Sequence, residues 1–116
     1  MTKRMERVQK LAKQILGEAI QELKDPRVGF TTITTVRMTQ DLRRARIFVS
    51  VLGTQEERTA TMDGLESAKP HLRTEMGRQM RLRRLPELEF ELDTGAEEAE
   101  RLEGLLRRIH ENEEQS

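Results

Sequence analysis

Residues 67–76 read SAKPHLRTEM, and the reading of Pro70 decides how many helices the chain has. Apolar residues at helical spacing run on both sides of it, through Leu65 and Ala68 before and Leu72 and Met76 after. Proline inside a helix removes a backbone donor and clashes with the preceding turn, at a cost of about 3 kcal/mol. At the first turn of a helix the same residue costs nothing, because that N–H has no partner anyway. The pattern predicts one helix over roughly 55–69 and a second opening at Pro70. Upstream, Thr54-Gln55-Glu56-Glu57 has the form of a capping box, which starts the first of these helices. The second carries Leu72, Met76 and Met80 on one side, with Arg73, Arg78, Arg81, Arg83 and Arg84 on its other side and end.

Working outward, residues 3–23 predict a helix whose Met5, Val8, Leu11, Ala12, Ile15, Leu16, Ala19 and Leu23 share one face. Lys3, Arg7 and Lys10 fall on the opposite side. Asp25-Pro26 and Gly29 in KDPRVGF break the helix. FTTITTVRM and ARIFVSVLG then read as two strands of an antiparallel hairpin. Ile33 and Val36 differ in parity, which predicts a bulge in the first strand. In LPELEFELD, Leu88, Phe90 and Leu92 alternate with Glu87, Glu89 and Glu91, a strand with one buried and one acidic face. The open face of the sheet is expected to carry polar residues and no aromatics. A second capping box, Thr94 to Glu97, opens a last helix with Ala99, Leu102, Leu106 and Ile109 as its stripe. The order α-β-β-α-α-β-α gives an α+β domain, three strands with helices packed on one face. Residues 1–110 form this single domain and 111–116 are expected to be a disordered tail.

Across 116 residues the formal net charge is zero, but the charges are segregated. Residues 1–84 hold 18 Lys/Arg against 10 Asp/Glu, and residues 85–116 hold 3 against 11. A basic body with an acidic end suits a polyanion partner, and an unevenly charged solvated surface explains the same numbers equally well. No run of apolar residues is long enough to span a membrane, and the charged N-terminus lacks a signal-peptide core, so a cytoplasmic location is expected. The absence of cysteine leaves no disulfide framework.

Enzyme chemistry finds little support. His71 and His110 fall on different helices without metal-ligand spacing, and no glycine-rich phosphate cradle occurs. No metal and no cofactor is expected, and the chain is read as not an enzyme. Aromatics are 3% of the chain, so stacking of single-stranded bases on an aromatic platform is not expected. Arginine contact to phosphates remains: 16 of the 21 basic residues are Arg, whose guanidinium fork suits bidentate phosphate contact. The cluster RQMRLRRL has few acids near it in sequence to neutralise it.

Three strings carry a resemblance: RVQKLAKQILGEAIQELKDPRV from Arg7, ITTVRMTQDLRRARIFVSVLG from Ile33, and LRTEMGRQMRLRRLPELEFELD from Leu72. In this order and spacing the chain resembles the bacterial ribosome-binding factor A family over roughly residues 4–110. The resemblance implies a type II KH-like domain. The KH signature GXXG is absent here, and the family's interrupted Ala-x-Gly junction is replaced by Ala68-Lys69-Pro70. It also implies a monomeric, non-enzymatic assembly factor that binds the small (30S) ribosomal subunit and its 16S rRNA. Such a factor supports late maturation and 16S rRNA processing, with a need felt during growth in the cold, and meets ribosomal proteins and other assembly factors there. A protein–protein adaptor without RNA contact is the rival reading.

On charge and expected exposure, the RNA-contacting residues are Arg4, Arg7, Lys10, Lys24, Arg27, Lys69, Arg73, Arg81, Arg83 and Arg84. Arg43, Arg44 and Arg46 by the hairpin form a weaker group. Lys69 and Arg73 are expected beside a sharp corner at Pro70.

Overall fold

The computed structural model describes residues 3–115. Its elements are α1 (Lys3–Gln21), β1 (Thr31–Met38), β2 (Arg44–Val51), α2 (Gln55–Met80), β3 (Glu87–Leu92) and α3 (Gly95–Gln115). The sheet order is β1-β2-β3, with β1 and β2 antiparallel and β2 and β3 parallel. Two parallel strands need a crossover, and α2 supplies it. The α+β, KH-like class stands, with α1 and α2 on one face of a mixed sheet.

The number of helices differs from the expectation. α2 runs unbroken through Pro70, so Ala68 and Pro70 form no junction. The buried positions explain this: Thr61, Gly64, Leu65, Leu72, Met76 and Gly77 stay on one helical stripe across the proline. A new helix at Pro70 would have to leave that stripe. Pro70 itself is exposed, and the carbonyl whose partner it removes belongs to exposed Glu66. The proline therefore weakens α2 on its wet side while the buried stripe continues past it on the dry side.

The core is a single cluster. Leu16 from α1, Ile47 and Val49 from β2, Leu65, Leu72 and Met76 from α2, and Leu88 from β3 are all essentially inaccessible. Burying a side chain of this kind stabilises by about 1.5–3 kcal/mol. The expected bulge in β1 is present, as a register shift between Ile33 and Thr35. The capping box at Thr54 is complete: its hydroxyl accepts from the Glu57 N–H at 3.2 Å, and Glu57 Oε1 accepts from the Thr54 N–H at 3.3 Å. At the start of α3 the carboxylate of Asp93 accepts from the Gly95 N–H. The Glu97 side chain lies outside the described residues.

The last helix departs from expectation at its end. Residues 111–115, expected to be disordered, are helical, and Ser116 lies outside the described residues. Its apolar residues Leu102, Leu105, Leu106 and Ile109 are each more than half exposed and none joins the core. The molecule is accordingly long in one direction, 64 × 38 × 17 Å.

Candidate nucleic-acid interface

Two turns build the site. The first joins β1 to β2. Thr39 and Asp41 organise it: the Thr39 hydroxyl donates to Asp41 Oδ1 at 2.7 Å, and that oxygen also accepts from the Arg43 N–H at 3.0 Å. These bonds, with the Thr39 hydroxyl's first, hold the Asp41 carboxyl below its usual pKa, so it stays ionised. Leu42 takes a left-handed conformation, φ 59°. Arg43 and Arg44 are thrown outward from this turn.

The second turn follows α2. Arg81 ends the helix in the left-handed region, φ 55°, and both its N–H and that of Leu82 reach the Gly77 carbonyl. The chain then doubles back so closely that a Cβ on Gly77 would collide with Leu85. Arg73 fixes this return, donating from Nε to the Pro86 carbonyl at 2.8 Å and from Nη2 to the Leu85 carbonyl at 3.1 Å. It also pairs with Glu87 at 3.3 Å.

The Glu87 N–H donates to the Arg43 carbonyl at 2.7 Å, which joins the two turns. Between them lies a cleft of about 350 Å³ lined by Asp41, Leu42, Arg43, Leu82, Arg83 and Arg84. The first helix brings its N-terminus to the same end. α1 runs antiparallel to β1, since Gln9 Oε1 accepts from the Met38 N–H at 2.9 Å while Gln21 meets the Thr31 carbonyl. Arg4 and Arg7 therefore precede Gln9 at the hairpin end. Arg4, Arg7, Arg43, Arg44, Arg81, Arg83 and Arg84 all lie at one pole of the domain and are all exposed. Among the described residues only Arg43 of these forms an ion pair, a loose one of 3.8 Å to Asp41.

The other predicted contacts lie elsewhere. Lys24 and Arg27 sit at the opposite pole. Lys24 is exposed, but Arg27 is folded onto Asp25, its Nη2 2.6 Å from Oδ2. Those side-chain hydrogen bonds hold the Asp25 carboxyl below its usual range. Thr61, fully buried on α2, fastens this loop by accepting from the Gly29 N–H and donating to the Arg27 carbonyl. The KDPRV string is thus a loop fastening. Lys69 lies along mid-helix, paired with Glu66 at 2.7 Å, and no corner forms beside it. Arg73, at the same place, holds the return loop. Lys10 lies further along α1, beside β1.

The open sheet face also differs from expectation. Phe48 lies on it, half-buried, with the Arg46 guanidinium 5.2 Å from its ring centroid. Arg46 is further held by Glu91 at 2.7 Å, so it is committed within the fold. Sequence reasoning passed over Arg37, exposed on the same face opposite Arg46, although strand alternation marks it. It also missed Leu42 and Gly77, whose backbone and lack of a side chain shape the cleft. No local signal identifies a leucine in a left-handed turn. Among the described residues no three His, Cys, Asp or Glu side chains converge as a metal site, and no helix is long and apolar enough to cross a membrane.

A family model described as ribosome-binding factor A matches residues 4–106. A relative in Brevibacillus brevis with that name is 44% identical over 107 residues, 91% of this chain and 88% of its own. The crystal structure of ribosome-binding factor A from Thermus thermophilus superposes with a TM-score of 0.68 at 31% identity, covering 76% of this chain and 94% of that one. A Thermus thermophilus homology model fitted into an electron-cryomicroscopy map of a 30S complex gives 0.62 at 32% identity, covering 73% and 90%.

Proposed function

This chain belongs to the ribosome-binding factor A family, and from that premise we propose that it binds the small ribosomal subunit through the arginine pole, contacting phosphates of 16S rRNA. The observation that carries this reading is the convergence of seven exposed arginines from α1, the hairpin turn and the loop after α2. Fixed guanidinium groups around a cleft recognise the shape and charge of folded RNA and read little sequence. The 30S complex of the Thermus thermophilus relative supports the partner. Binding favours one rRNA conformation over another, so the protein acts by population shift, as a monomeric cytoplasmic assembly factor without catalysis. Late maturation of the subunit, 16S rRNA processing and growth in the cold are the processes this would serve.

Equilibrium binding of the full chain to immature small subunits and to protein-free 16S rRNA, across a salt series, tests this. Each phosphate contact adds about 0.7–0.9 to the log K against log salt slope. A steep slope that flattens on charge reversal at Arg81, Arg83 and Arg84 supports the reading. A flat slope, or binding to ribosomal proteins but not to rRNA, would transfer the function to the adaptor reading.

A further inference from the structure

A second groove lies away from the arginine pole, between α1 and the outer edge of β1. It holds about 500 Å³ and is lined by Lys10, Lys13, Gly17 and Gln21 of α1 and by Thr31 and Ile33 of β1, among others. We propose that this groove takes an extended acidic peptide from a partner protein, which adds to β1 as a fourth strand.

The first argument is the hydrogen-bond edge. β1 is an outer strand. The Leu52 N–H to Phe30 carbonyl and Thr39 N–H to Arg44 carbonyl bonds set the phase of its ladder with β2. That phase turns the N–H and C=O groups of Thr31, Ile33, Val36 and Met38 outward. The two ends are closed by α1, Gln9 taking the Met38 N–H and Gln21 the Thr31 carbonyl. Between them Ile33, which lines the groove, has no strand partner on that side, and Val36, 4% exposed, continues the same edge beyond the groove's lining. An edge left with alternating donors and acceptors is matched by another peptide backbone. RNA phosphates offer acceptors alone, so they match half of it.

The second argument is Gly17. Glycine inside a helix costs about 1 kcal/mol relative to alanine. A Cβ at Gly17 would meet nothing within 4 Å, so no internal contact requires its absence. What its absence does is widen the groove in front of Ile33. The span of α1 from Lys10 to Gln21 is about 16 Å at about 1.5 Å per residue, the length of about five extended residues. The third argument is charge. Lys10 and Lys13 line the groove against the single acid Glu18, and among the described residues neither lysine forms an ion pair. An acidic strand satisfies them.

The test is an amide NMR titration of the full chain with an acetylated, amidated hexapeptide alternating aspartate and valine. Shifts at the Ile33, Val36 and Gly17 amides, lost in Gly17→Phe and weakened in Lys13→Glu, establish the site. Gly17→Ala, which keeps the groove open, should retain them. Lys13→Glu keeps the test valid if the phenylalanine variant fails to fold. Three results overturn the proposal: no shifts at Ile33 and Val36 at millimolar peptide, equal shifts with lysine in place of aspartate, or displacement of the peptide by a single-stranded RNA 12-mer shifting the same amides. The last would make the groove a nucleic-acid site.

Discussion

The backbone N–H of Glu87 donates to the carbonyl of Arg43 at 2.7 Å, across 44 residues of chain. This is the first rung where β3 joins β2, and it lies immediately beside both basic turns. Because it belongs to the sheet, the separation of Arg43 and Glu87 is set by the core, and Arg73 holds the Leu85-Pro86 return that carries Arg83 and Arg84. A cationic cleft built this way is preorganised: a polyanion docking there need not order the turns first.

The two basic turns should contribute comparably. Arg83→Glu with Arg84→Glu, and separately Arg43→Glu with Arg44→Glu, are each expected to flatten the salt slope by at least the ~0.7–0.9 per lost phosphate contact. Lys24→Glu, at the far pole, should leave it nearly unchanged. Filter binding to 16S rRNA across a salt series checks all three, and equal effects of all three would mean diffuse attraction in place of a site.

Arg73 is a positioning residue for the cleft. It donates to two backbone carbonyls of the return loop, and bonds from a charged donor to such groups are worth about 1.5–3 kcal/mol. Arg73→Ala should lower unfolding free energy by about that amount in urea denaturation. Arg73→Lys should not restore it, since one ammonium cannot reproduce the spread of Nε and Nη2. Weakened RNA binding in these variants should come with lost hydrogen-exchange protection at Glu87.

Pro70 is a defect on the wet face of α2. Pro70→Ala supplies the missing N–H to Glu66 and removes the ring clash, so stability should rise by about 1–3 kcal/mol. Binding to rRNA should not change, because no cation of the arginine pole depends on that turn. A loss of binding in Pro70→Ala with a stable fold would return Ala68 and Pro70 to the interface.

The same residue shows where the sequence could be read and where it could not. Local rules placed every strand, the bulge between Ile33 and Thr35 and the capping box at Thr54, since alternation and caps are properties of neighbours. They failed at Pro70 because the strain of one residue was outweighed by Leu65, Leu72 and Met76 packing in one line against the sheet. For the site, charge was legible and use was not. Arg27, Arg46 and Arg73 read like Arg83 and Arg84 in sequence. Only the fold shows the first three committed to Asp25, Glu91 and the 85–87 loop. Arg43 and Arg44 gained weight for the converse reason, a partner turn 40 residues away.

Acid sensitivity should report the loop fastening. The Asp25 carboxyl is held below its usual pKa chiefly by the Arg27 side-chain hydrogen bonds. A depressed carboxyl stabilises the fold above its unfolded pKa of about 3.9, and that contribution is lost as pH falls through the lower folded value. Asp93 behaves likewise, through the Thr34 hydroxyl at 2.6 Å. Thermal unfolding from pH 6 down to pH 2 should therefore show an acid decline that is shallower in Asp25→Asn. An unchanged decline would mean that this pair contributes nothing in solution.

Arg81 carries a conflict between stability and binding that can be separated by one substitution. It is a non-glycine residue at φ 55°, ψ 43°, where the Cβ crowds the carbonyl at a cost of about 1–2 kcal/mol. Glycine is the usual residue at this place after a helix, and the closing bonds to the Gly77 carbonyl use only the backbone. Arg81→Gly should thus raise the unfolding free energy by about 1 kcal/mol, less the added freedom of the unfolded chain. The guanidinium it removes is exposed at the pole, so the salt slope for 16S rRNA should fall by about 0.7–0.9. Stability and binding then move in opposite directions. Arg81→Asn tolerates the same backbone without the charge and should lose the binding increment with little change in stability. If Arg81→Gly stabilises the fold and binds with an unchanged slope, Arg81 lies outside the contact surface and the pole narrows to Arg83, Arg84 and the hairpin turn.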